Sequence, residues 1–122
     1  MADVNTVFWL FFKLKGRAGR AAYFLGGLFV LIVQMFFFYR VSLEVEGSAA
    51  SQTWAMAFLI AALVATWANF ALTAKRFHDL GKPTPFALIS LIAGFILIIV
   101  LSLMKGEDGP NRYGPQADVP QW

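Results

Sequence analysis

Three stretches that carry no charge at all, residues 21–39, 53–74 and 86–104, decide what this chain can become. At about 1.5 Å of rise per residue each makes about 28 Å of helix or more, enough to cross a hydrocarbon core about 30 Å thick. A soluble fold of 122 residues has too little interior to hide three of them. Composition points the same way: 59% of the residues are hydrophobic and 14% charged, with 13 Phe and 4 Trp, whereas a soluble domain is about a quarter charged. The chain is therefore expected to be an all-α membrane protein, a single membrane domain over residues 1–122 with three transmembrane helices.

The remaining segments are short. Residues 4–15 run through Phe8, Trp9, Phe11 and Phe12 into Lys13 and Lys15. They are too few to cross and are expected to form an amino-terminal interfacial amphipathic helix. Residues 40–52 read as a polar loop, 75–82 as a hinge and 105–122 as a polar tail rich in Gly, Pro and Asn. Small residues repeat every fourth position at Ala18, Ala22 and Gly26, again at Ala57, Ala61 and Ala65, and at Ser90 and Gly94, a spacing that lets helix backbones approach closely. Inside the spans the polar residues are Gln34 in the first and Thr66, Asn69 and Thr73 on one face of the second. Helix geometry sets Gln34 and Asn69 at different depths, so each is expected to find its own partner. A cleaved signal peptide does not fit, because the apolar core of residues 21–39 is too long.

Cations set the orientation. Lys13, Lys15, Arg17, Arg20, Lys75, Arg76 and Lys82 flank the amino-terminal segment and the hinge; Arg40, Lys105 and Arg112 fall to the other side if each apolar stretch crosses once. By the positive-inside rule the amino terminus and the hinge are then cytoplasmic and the carboxyl tail outside, in a multi-pass membrane protein.

The chain's one histidine lies in the hinge, in Lys75-Arg76-Phe77-His78-Asp79-Leu80-Gly81. A nucleophile to go with His78 and Asp79 would have to be Thr73 or Thr84, neither in a recognisable elbow, and one histidine with one carboxylate falls short of the ligands zinc needs. There is no cysteine, so thiolate chemistry is absent as well. No catalytic residue, metal or cofactor is expected. Nor is nucleic acid, since the net charge of +3 forms no basic stripe. The structural expectation is that Asp79 pairs with Arg17, Arg20 or Arg76, that His78 bonds a backbone carbonyl or the Asn69 side chain, and that surplus cations of this group, Lys75 included, hold anionic lipid headgroups.

Three motifs are spread along nearly the whole chain: Gly16-Arg17-Ala18-Gly19-Arg20, then Arg76-Phe77-His78-Asp79-Leu80-Gly81, then Gly109-Pro110-Asn111-Arg112-Tyr113-Gly114. In this order they resemble the bacterial inner-membrane family catalogued as domain of unknown function 805. The chain has Phe77 where that family usually has leucine, and Pro83, Thr84, Pro85 and Phe86 where it commonly carries tryptophans. The resemblance implies a small multi-span membrane protein and no known activity. The residues themselves point to a non-catalytic accessory or scaffold subunit that binds a membrane protein partner and anionic lipid; the alternative is an oligomeric pore or transporter for a small solute or ion.

Overall fold

The computed structural model describes residues 3–122. It has the expected class: three helices long and apolar enough to span a membrane, preceded by a short amino-terminal helix. α1 (Val4–Phe12) starts where the Asp3 carboxylate accepts the Thr6 N–H at 2.8 Å, a bond that also lowers the Asp3 pKa. It ends before Gly16, whose φ of +102° turns the chain toward α2 (Arg20–Ser42). α3 (Ala49–Asp79) is capped by Ser48, whose hydroxyl accepts the Ser51 N–H at 3.0 Å. Pro83 and Pro85 then lead into a 3-10 segment (Thr84–Ile89) that continues as α4 (Ser90–Leu103).

The largest departure from the expected boundaries is in α3, the second of the three long helices. The second helix has 31 residues, about 46 Å, and absorbs the supposed hinge. Lys75 to Asp79 are its last turns, and the chain reverses only at Leu80 and Gly81. A helix half again as long as the hydrocarbon is thick must project beyond it, and its charged carboxyl end is the part suited to do so.

α2 and α3 form an antiparallel hairpin that is closed at one end only. Its core gathers Tyr23, Val30, Ala65, Ala68 and Leu72 with Leu97 and Leu101 of α4. No residue of α2 beyond Val30 or of α3 before Ala65 is buried. Near the closed end glycines of α2 make room for side chains of its neighbours: a Cβ added to Gly26 would stand 3.0 Å from the Leu72 side chain, and one on Gly27 2.9 Å from that of Ile98. Of the repeat Ala57, Ala61 and Ala65, only Ala65 is buried in that core. With Phe29, Val33 and α1 residues such as Phe12 all three line an apolar crevice of about 590 Å³.

The third apolar segment bends. Ala93 leaves helical torsions (φ −126°, ψ 29°), with Gly94 following it. The start of the segment bonds to His78 through Thr84 at 2.8 Å, while its last carbonyl, Met104 O, accepts from Arg76. A straight helix of 20 residues would hold its ends about 30 Å apart, too far for both to reach side chains two positions apart on α3. The carboxyl tail therefore emerges beside the amino-terminal segment, at the same end of the molecule and not at the opposite one as expected. Counting each apolar stretch as one crossing misplaced Lys105 and Arg112, because the bend at Ala93 returns the chain to the end from which it left.

Candidate functional site

The closed end of the hairpin is organised by three segments remote in sequence. Residues 13–19 pass as a strap over the last turns of α3, residues 105–118 fold back under the strap, and α3 supplies the charges between them. The strap is held by its backbone. Ala18 N–H donates to Lys75 O at 3.0 Å, Ala18 O accepts from Arg76 at 3.1 Å, Gly16 O bonds His78 Nδ1 at 2.9 Å and Lys13 O accepts from Lys75 Nζ.

Arg17 and Arg76 are 2% and 0% exposed and share the carboxylate of Asp79, itself 4% exposed. Arg17 Nε donates to Oδ1 at 2.9 Å and Arg76 donates to Oδ2 at 2.6 Å. One carboxylate cannot balance two desolvated guanidiniums, so main-chain carbonyls supply the rest. Arg17 also reaches Glu107 O at 2.6 Å, Gly109 O at 2.7 Å and Gly114 O at 3.3 Å. Arg76 adds Leu101 O at 3.0 Å and Met104 O.

The end of α4 is where this matters most. The last carbonyls of any helix lack intrahelical partners and carry the negative end of its dipole. Here Leu101 O and Met104 O go to Arg76, while Ser102 O and Leu103 O go to Arg20 at 3.1 and 3.0 Å. Two arginines thus tile four successive carbonyls that lipid could not satisfy.

His78 is fixed on every side. Gly16 O can only accept, so Nδ1 carries the proton, and Nε2 accepts from the Thr84 hydroxyl at 2.8 Å. The Tyr113 ring stacks on the imidazole at 4.1 Å and 3°. Asn111 ties the tail in from below, donating to His78 O at 3.0 Å and accepting the Tyr113 N–H at 2.8 Å. Asp118 closes the cluster, its Oδ1 accepting the Gly19 N–H at 2.8 Å while its own N–H donates to Arg17 O at 2.8 Å.

Of the residues singled out in the sequence, Arg17, Lys75, Arg76, His78 and Asp79 meet in this cluster, and Gly109, Asn111, Tyr113 and Gly114 join it from the tail. Arg20 caps α4 and does not pair with Asp79. Arg112 points outward, its guanidinium 4.9 Å from the Tyr113 ring centre. The intramembrane polar residues stand apart: Thr66 bonds Ala62 O of its own helix at 2.8 Å, Thr73 is buried near the cluster, Asn69 is half-buried, and Gln34 Oε1 has no partner.

Several members gave no functional signal in the sequence. Trp9 is buried under the strap, its indole N–H on Lys15 O at 2.7 Å and Lys75 Nζ 5.3 Å from its ring centre. Gly106 lies so close to Asp79 that a Cβ there would overlap the carboxylate. The tail glycines carried the only hint, and they read as turn chemistry.

The family model described as "Protein of unknown function (DUF805)" matches residues 11–115, from the end of α1 through the Gly114 turn. The chain belongs to the DUF805 family. The matched span takes in the whole arginine–aspartate cluster apart from Trp9 and Asp118, so in this DUF805 protein the three motifs are the three segments that meet around Asp79. No curated protein and no solved structure matches the chain.

Proposed function

We propose that this DUF805 protein is a non-catalytic accessory or scaffold subunit of the bacterial inner membrane, binding a membrane protein partner through its open apolar half and anionic lipid at its basic end. The observation that carries this reading is how completely the polar cluster is engaged. Each buried ionisable side chain there bonds a backbone carbonyl or a neighbour, and the one base that meets a hydroxyl, His78 Nε2 on Thr84, does so where the Thr84–Ile89 segment is tied to α3. Such a cluster holds a shape.

Orientation follows from the same geometry. With the tail folded back, nine of the ten Lys and Arg gather at the closed end: Lys13, Lys15, Arg17, Arg20, Lys75, Arg76, Lys82, Lys105 and Arg112, with Arg40 alone at the other. The positive-inside rule then puts both termini in the cytoplasm. Fusions after Trp122 test this directly. A green fluorescent protein fusion is expected to fluoresce and an alkaline phosphatase fusion to stay inactive; the reverse pattern defeats the orientation.

Blue-native electrophoresis of the intact chain from mild detergent tests the role. Co-migration with a large complex is the expected result. A lone small band removes the accessory reading, and a discrete homo-oligomer favours a pore.

A further inference from the structure

The cations named by the motifs are mostly unavailable to a ligand, because burial and carbonyl bonds engage them. Anion binding at the basic end must therefore fall to cations left over, and two pockets there hold such residues. One, of about 240 Å³, is lined by Arg17, Arg20 and Lys105 but also by Asp79, Glu107 and Asp108, so its charges cancel. The other, of about 350 Å³, opens where strap, hinge and tail meet, and Lys15, His78, Thr84, Arg112 and Tyr113 line it with no carboxylate among its walls. Among the described residues neither Lys15 nor Arg112 has an acidic partner within ion-pair distance.

We infer that this second pocket binds a phosphate group, held between the Lys15 ammonium and the Arg112 guanidinium over the stacked His78–Tyr113 floor. Its rigidity supports this. The floor is fixed by the ring stack at 4.1 Å and by the two bonds of His78, and Tyr113 carries the Arg112 guanidinium against its face. Arg112 thus retains its fork of donors for a bidentate contact while its position is set by packing. The Thr84 hydroxyl already donates to His78 Nε2, so the charged donors are the two cations. The same chemistry serves a lipid headgroup at the membrane surface or a free phosphate arriving from water. The inference rests on the reading that the basic end binds anionic lipid, and it names the place.

The test uses the full chain purified in dodecyl maltoside and follows tryptophan fluorescence. Three probes are titrated: inorganic phosphate, short-chain phosphatidylglycerol and phosphatidylcholine of the same chain length. Saturable binding is expected, weakened about tenfold by Lys15→Gln or Arg112→Gln and unchanged by Lys105→Gln, an exposed cation of the charge-balanced pocket that pairs with Asp108. Binding of phosphate and phosphatidylglycerol alike supports a site for the bare group; binding of phosphatidylglycerol alone, lost in the same variants, supports a lipid headgroup as the source. Phosphatidylglycerol binding undiminished by both variants, or weakened equally by Lys105→Gln, overturns the pocket and leaves the lipid reading standing. No saturable binding of either anion by the wild-type chain overturns both.

Discussion

The two ends of the α2–α3 hairpin are built on opposite principles. At the closed end charged side chains are buried and three segments remote in sequence meet; at the open end the helices present Phe36, Phe38, Met56, Leu59 and Leu63 outward, and no residue is buried as a whole. In water the apolar half would be the stabilised one. In lipid, apolar side chains gain little by leaving the solvent, whereas each unpaired backbone or charged group is costly, so structural information concentrates where the polar groups are. The closed end is the folded part in that sense, and the open half is left for lipid or another protein to cover.

The largest effect should come from Asp79. Asp79→Asn leaves two buried guanidiniums without a counter-charge and should cost about 3–5 kcal/mol, read as a fall in thermal unfolding temperature in detergent. Arg17→Ala alone should be comparably severe. A double-mutant cycle is more telling, because residues sharing one network do not add: the double variant should lose clearly less than the sum of the singles. Strict additivity would sink the claim that Asp79 bridges the strap to α3.

Arg20 separates two parts of the closed end. It is exposed and bonds only carbonyls of α4, so Arg20→Ala should cost less, about 1 kcal/mol after allowing for solvent competition. Its loss should free the α4 end selectively: amide exchange should rise at Ser102 to Lys105 while α3 keeps its protection. Uniform deprotection of both helices would mean that α4 is not a separately anchored element.

These experiments bear on what the sequence could disclose. The three long apolar helical segments were legible because the absence of charge over nineteen or more residues is a local property. The partners of Asp79 were legible as a short set, since a lone acid among cations is bound to pair, and two of the three named arginines hold it. The bend was not. Its cause is the torsion of a single alanine, and the Gly94 beside it also fitted a close-packing spot; in the structure nothing would contact a Cβ there. The tail was misread for a related reason. Its bonds to Arg17 span ninety positions or more, and turn chemistry announces that a chain reverses without saying what the reversed segment will touch. A spacing argument can place side chains on a helix face, but it does not locate the carbonyls that an arginine from another segment will find.

The smallest effect is expected in the open half, and it tests the comparison most sharply. If Ala61 sat between tightly packed helices, as its four-residue repeat with Ala57 and Ala65 suggests, enlarging it to leucine would cost about 1–3 kcal/mol through overpacking. Because Ala61 instead lines a crevice with ample room, Ala61→Leu should shift stability by no more than about 0.5 kcal/mol in detergent. The same leucine added against a filled contact is the control: Gly26→Leu drives a side chain into Leu72 and should be clearly destabilising. The pair also probes the proposed partner, since a helix or lipid seated in the crevice would be excluded by the larger side chain of the Ala61→Leu variant while the folded monomer stayed intact. Loss of co-migration with unchanged unfolding temperature would assign the crevice to the partner, and equal damage from the two substitutions would erase the distinction between the two halves.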